Sequence, residues 1–236
     1  INSVKYNKGV SRLLNYYNLN KSVQASIFSN LPTNSGIGSS SSVFVGLAKS
    51  IYELRSKKIS PRKLTKEIYH IERKLLKNDG GWQDQIMASY GGLLKIKINK
   101  NGYFSVKKIN LKKNIKKKIE NNFVLVYSKI SRYSSKLIKN QRSASNKKNV
   151  INLYDRLKEK VNKFEKYLTE GNIKEIGKTF DDHWKIKKKL SKMISNSTLD
   201  KIYINLMNSN NFYGGKIIGA GGGGFFLMVF KNKKKG

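Results

Sequence analysis

The stretch Leu31-Pro-Thr-Asn-Ser-Gly36-Ile-Gly38-Ser39-Ser40-Ser41-Ser42-Val43 limits what this chain can fold into more than any other. Before it, Val23, Ala25 and Ile27 alternate with Ser22, Gln24 and Ser26, the period of a half-buried strand over 22–28. After it, Val43, Leu47, Ile51 and Leu54 recur every three or four residues, the stripe of an amphipathic helix. Gly36 and Gly38 permit backbone conformations that a Cβ forbids. The serine run is expected to cap the helix. A glycine-rich loop that ends at a helix N-terminus offers free N–H groups and the positive end of the helix dipole, which favour phosphate. Serine hydroxyls there can add bonds to phosphate oxygens or to Mg²⁺. The same residues also fit a plain capped turn. No Gly-Lys-Ser/Thr follows the glycines, so the loop is not of the Walker A type.

The rest of the chain alternates helix and strand signals. Val10, Leu13, Leu14 and Tyr17 suggest a short helix. Ser60-Pro61 opens another, with Leu64, Ile68, Ile71 and Leu75 as its stripe. Asn78-Asp79-Gly80-Gly81 breaks the chain before Trp82-Gln83-Asp84-Gln85-Ile86. Leu94, Ile96 and Ile98 pair by pattern with Tyr103 to Ile109 across an Asn99–Gly102 turn. The sequence turns basic and polar around 110–122, and the boundary placed there divides the chain into 1–115 and 116–236. Phe123–Tyr127 reads as a strand, three helical stripes follow, and Gly219–Gly224 separates two strand-like runs, which calls for tight turning or close backbone approach. The order of elements indicates an α+β protein.

The formal net charge of +35 raises the prospect of nucleic-acid binding. The lysines are scattered through every segment, and the densest run, Lys112 to Lys118, contains no aromatic residue. A specific nucleic-acid function is therefore not expected, although nonspecific polyanion binding is. Absence of cysteine excludes disulfides and thiolate metal sites and fits a cytoplasmic protein. No apolar run approaches the roughly 20 residues that span a bilayer, so no membrane role is expected. The chain opens on Ile1 and closes on a lysine-rich tail just after an apolar strand, and so reads as part of a longer protein.

Spacing alone would make Glu72 a surface residue and Asp84 a turn residue. Three motifs in order alter that reading. Pro32–Ser42, the pair His70-Ile71-Glu72 with Gly81-Trp-Gln-Asp84-Gln85, and Gly219–Gly224 resemble the motifs of the GHMP small-molecule kinases. Within that family, Tyr90-Gly91-Gly92-Leu93, Val126-Tyr127-Ser128, His183-Trp184 and the run from Gly214 to Phe226 are similar to the branch that acts on heptose 7-phosphate. The resemblance implies a two-domain GHMP kinase fold whose N-terminal domain is incomplete here, with the family's first motif expected before Ile1. It implies ATP and Mg²⁺ as cofactors and a sugar phosphate as the small-molecule substrate, phosphorylated at its anomeric hydroxyl for surface-polysaccharide synthesis. A homodimer is left open. By the family pattern Gly36, Ile37, Gly38, Ser39, Ser40 and Ser41 hold the phosphates, with Gly221 and Gly222 folded against that loop. Ser40 and Glu72 hold the metal, and Asp84 orients or deprotonates the acceptor hydroxyl. A fucokinase-like member of the same family is the neighbouring alternative. His183 and Trp184 are expected to pack, His70 to be an ordinary helix residue, and Arg132 and Arg142 either to clamp a phosphate or to form a solvated basic face.

Overall fold

The computed structural model describes residues 8–19, 23–32, 34–131, 134–144 and 147–232. It divides the α+β chain into two compact units. The first comprises Ile1–Pro32 and Gly38–Ile109, the second Thr33–Ile37 and Asn110–Gly236.

The first unit is helical apart from one hairpin. Its elements are α1 (Lys8–Tyr16), α2 (Ser39–Leu54), α3 (Pro61–His70), α4 (Gln83–Tyr90), β1 (Leu94–Ile98) and β2 (Phe104–Lys108). Ser60 caps α3, its side chain accepting from the Lys63 N–H at 3.3 Å, with Pro61 at the first helical position. Phe44, Val45, Ala48 and Ile51 of α2 pack on Leu13, Leu64, Ile68 and Ile71. The stripe of α3 packs as read through Ile71, but α2 turns a neighbouring face inward: of Val43, Leu47, Ile51 and Leu54 only Ile51 is buried, and Leu54 is 67% exposed. The β1–β2 hairpin pairs Leu94 with Lys108 and Ile98 with Phe104, and the Gly102 N–H donates to the Asn99 carbonyl at 3.0 Å to close the turn.

The second unit holds α5 (Lys113–Asn122), β3 (Phe123–Tyr127), α6 (Ser134–Ala144), α7 (Lys148–Glu170), α8 (Ile173–Lys188), α9 (Ser197–Met207), β4 (Phe212–Ile217) and β5 (Phe225–Phe230). The strands form an antiparallel sheet in the order β3-β5-β4. Trp184, Leu199, Tyr203, Ile217, Phe226 and Met228 make its main core.

Two further expectations fail. Residues 23–29 form no strand: an isolated alternating segment has no ladder to join, and among the described residues none pairs with it; Phe28 is 93% exposed. The serines do not cap α2. Gly38 holds the cap position in the left-handed conformation (φ 76°), and among the described residues no side-chain cap closes the helix end. Ser39, Ser40 and Ser41 instead sit inside the first turn, which frees their hydroxyls to point elsewhere. Among the described residues no helix is long and apolar enough to cross a membrane.

Candidate active site

The site-forming residues of the first unit converge at the start of α2. Helix α3 runs into a single π-helical turn, Ile71–Leu75, which carries Glu72. Such turns shift the register of side chains and recur at functional sites. Glu72 is only 2% exposed. Its carboxylate accepts from Ser41 Oγ at 2.8 and 3.1 Å, from Ser40 Oγ at 3.5 Å, and from Gln85 Nε2. Gln85 Nε2 also donates to Ser41 Oγ at 3.1 Å. Gln85 is fully buried, and its Oε1 has no hydrogen-bond partner. Glu72 thus lies among neutral donors, and among the described residues no lysine or arginine forms an ion pair with it. A buried carboxyl group with no basic partner among the described residues is a costly arrangement without function.

Asp84 and Gln85 are adjacent on α4 and point apart. Gln85 turns inward to Glu72, whereas Asp84 is exposed in the first turn, where the helix dipole favours an acid. A Cβ on Gly38 would lie 3.5 Å from Asp84 Cγ, so the aspartate rests directly against the cap of α2. The turn preceding α4 is fixed by Arg73. Its Nε donates to the Gly80 carbonyl at 3.0 Å and its Nη2 to the Gly81 carbonyl at 2.9 Å. The Arg73 guanidinium also lies 5.4 Å from the Tyr69 ring centre, and Tyr69 stacks on Trp82 at 3.5 Å and 7°. The π-helical turn therefore places both Glu72 and the clamp that sets the start of α4.

In this way the first unit brings together Gly38, Ser39, Ser40, Ser41, Glu72 and Asp84. It is Ser41 rather than Ser40 that makes the short bond to Glu72. Gly36, Ile37, Gly221 and Gly222 belong to the second unit. There Gly224 (φ 87°) lies against the Ser35 carbonyl so closely that a Cβ would overlap it. The Gly222 N–H donates to the Ile194 carbonyl at 2.7 Å, so any contact of Gly222 with a ligand would use other atoms. Trp184 is fully buried in the core, as expected. Arg132 and the side chain of Arg142 lie outside the described residues. Sequence reasoning missed the roles of Gln85, Arg73 and the π-helical turn. The only signal for Gln85 was its place beside Asp84 in the motif.

The chain matches the models for the GHMP kinase N-terminal domain over residues 5–92 and the GHMP kinase C-terminal domain over residues 164–236. It belongs to the GHMP kinase family. Two curated relatives are GHMP kinases of different specificity. One is the D-glycero-alpha-D-manno-heptose 7-phosphate kinase of Campylobacter jejuni, 28% identical over 82% of this chain and 57% of that protein. The other is the mevalonate kinase of Methanocaldococcus jannaschii, 26% identical over 96% of this chain and 68% of that protein. This GHMP kinase chain thus spans little more than half the length of the first. A crystal structure of a D-glycero-D-manno-heptose 1-phosphate kinase from Bacteriodes thetaiotaomicron has the same fold, with a TM-score of 0.66 at 20% identity over 99% of this chain and 67% of that one.

Proposed function

We propose that the protein carrying this chain transfers the γ-phosphoryl group of ATP to the anomeric hydroxyl of D-glycero-D-manno-heptose 7-phosphate, giving the 1,7-bisphosphate for nucleotide-activated heptose. The observation that carries the reading is the Ser41–Glu72–Gln85 cluster at the open start of α2, with Asp84 exposed beside it. The choice of acceptor rests on the similarity to the Campylobacter heptose kinase.

In this reading the acceptor oxygen attacks the γ-phosphorus, the bond to the β-phosphate bridging oxygen breaks, and ADP leaves. Asp84 orients the attacking hydroxyl and takes its proton. The N–H groups from Gly36 to Ser41 hold phosphate oxygens, using a helix end that no side chain caps among the described residues. Gly221 and Gly222 are assigned to the nucleotide by the family pattern. Glu72 with the Ser40 and Ser41 hydroxyls forms a hard, all-oxygen donor set that suits Mg²⁺. Among the described residues no cluster of three or more acids or histidines is present. The chemistry Mg²⁺ supplies when bound is neutralisation of charge on the β- and γ-phosphates. The chain's own contribution is positioning and charge stabilisation.

The test is ADP release by the intact protein with heptose 7-phosphate, fucose and mevalonate as acceptors. Only heptose 7-phosphate should drive turnover. Asp84→Asn should lower kcat by about 10²-fold or more while leaving ATP affinity near wild type. Turnover with fucose or mevalonate alone would overturn the acceptor, and near-normal kcat in Asp84→Asn would overturn the role of Asp84.

A further inference from the structure

We propose that a cleft lined by α7, α8 and β4 of the second unit is a binding site for a small amphipathic anion, an apolar chain or ring bearing one acidic head. The cleft has a volume of about 350 Å³, within the range of small-ligand sites. Tyr154, Leu157, Val161 and Phe164 line it from α7, spaced at helical intervals on one face, and Phe180 faces them from α8. Phe164 and Phe180 are 5.2 Å apart, ring centre to ring centre.

Apart from Tyr154, the ionisable residues that line the cleft are all basic. Lys158, Lys160, Lys216 and His183 line it, and no acid does. Two of the lysines are already neutralised: Lys158 pairs with Asp155 and Lys160 with Asp182, each at 2.8 Å. Lys216 is different. Among the described residues it has no carboxylate partner, and its ammonium lies 4.8 Å from the centre of the Phe180 ring. Burial without a counter-ion pushes its amine down to about 8. His183 adds a buried Nδ1 with no hydrogen-bond partner. A leucine or methionine at position 216 would pack on Phe180 without the cost of desolvating an ammonium, so packing alone does not account for a lysine there. An acidic head would supply the missing counter-charge to Lys216, and its apolar body would cover the partly exposed Val161 and the aromatic walls. Carboxylate and phosphate heads share this chemistry.

The site is tested by calorimetric titration of the intact protein, at physiological salt, with octanoate, octyl phosphate, octanol and acetate. At least one octyl anion should bind tenfold or more tightly than both octanol and acetate. Tighter octanoate identifies a carboxylic acid as the natural ligand class, and tighter octyl phosphate a phosphorylated one. Lys216→Met should reduce the anion to the level of octanol, with the thermal midpoint maintained. Val161→Asp, at an exposed position that leaves the core untouched, should weaken the anion by a similar factor and keeps the proposal testable if Lys216→Met does not fold. Octanol binding as tightly as the anions would make the cleft merely apolar. Acetate binding as tightly would assign the effect to the chain's general basicity. Undiminished anion binding in Lys216→Met, or no binding of either octyl anion, would overturn the proposal.

Discussion

His183 should make the second unit acid-sensitive well above the range where carboxylates titrate. Burial holds its imidazole neutral, and the positive charges of Lys216, Lys187 and Lys160 add to that, pushing its pKa from 6.5 down to about 3. Between those values the unfolded chain binds a proton that the folded chain refuses. Stability therefore falls as pH drops through this window, and the loss is complete only below the folded value. With these two pKa values, the loss between pH 7 and pH 5 amounts to about 2 kcal/mol. Lys216 stays protonated across that interval, so it does not add to the slope. The measurement is urea unfolding at pH 7 and pH 5, followed by fluorescence of the buried Trp184 in a Trp82→Phe background, since these are the two tryptophans. His183→Leu should remove most of the difference between the two pH values, whatever it does to stability at pH 7. His70→Asn, at the other histidine, which is exposed, serves as the control. If wild type and His183→Leu lose equal stability between pH 7 and pH 5, the neutral buried histidine is wrong.

Ser40→Ala and Glu72→Gln should both raise the Mg²⁺ concentration needed for half-maximal activity at fixed ATP, Glu72→Gln the more because its new amide meets the Ser41 and Gln85 donors; unchanged half-saturation in both would count against the metal assignment. Gly224→Ala should destabilise the second unit by about 3 kcal/mol or more, because a Cβ would overlap the Ser35 carbonyl at a positive φ, and an unfolding midpoint equal to wild type would contradict the packing. Binding to labelled duplex and single-stranded nucleic acid should fall steeply with salt and show no sequence preference, and a preferred sequence surviving physiological salt would contradict a distributed, nonspecific charge.

The local patterns that the sequence displays are those whose cause is local. The strands at 123–127 and 225–230 carry continuous apolar runs, and they are β3 and β5. The apolar stripe of α3 names residues that pack, Leu64, Ile68 and Ile71, because helical period and burial are one constraint; α2 carries apolar residues on more than one face, and the face that packs, Phe44, Val45, Ala48 and Ile51, is not the one the stripe names. Elements whose cause lies elsewhere were not legible. The basic run after Lys112 reads as a boundary, yet it forms α5, anchored through the buried Ile115, whose side chain packs against Gly171 at the end of α7. The alternation at 22–28 is a pattern without a partner, and pattern alone cannot make a strand. In the site, Glu72 and Asp84 were reached through the family motifs and not through spacing. Gln85 was hidden because a buried amide has no sequence signature until the π-helical turn and the α4 start are fixed relative to each other.

The acids make sense of one another when set against the charge of the chain. With 49 lysines and arginines and 14 acids, nearly any exposed carboxylate will meet a cation. Asp155, Asp182, Glu175, Asp181 and Asp200 do so, each paired with a lysine. A carboxylate meant for a divalent ion cannot be left in that company, since a lysine ammonium would occupy it first. Glu72 is kept out of reach by burial, and its oxygens accept from three neutral donors, Ser40, Ser41 and Gln85. The π-helical turn is what makes this arrangement possible, since it carries Glu72 inward while Lys74 and Leu75 on the same turn remain exposed. The lysine-rich surface is then compatible with the proposed Mg²⁺ site, because among the described residues the one carboxylate proposed for the metal has no cationic partner.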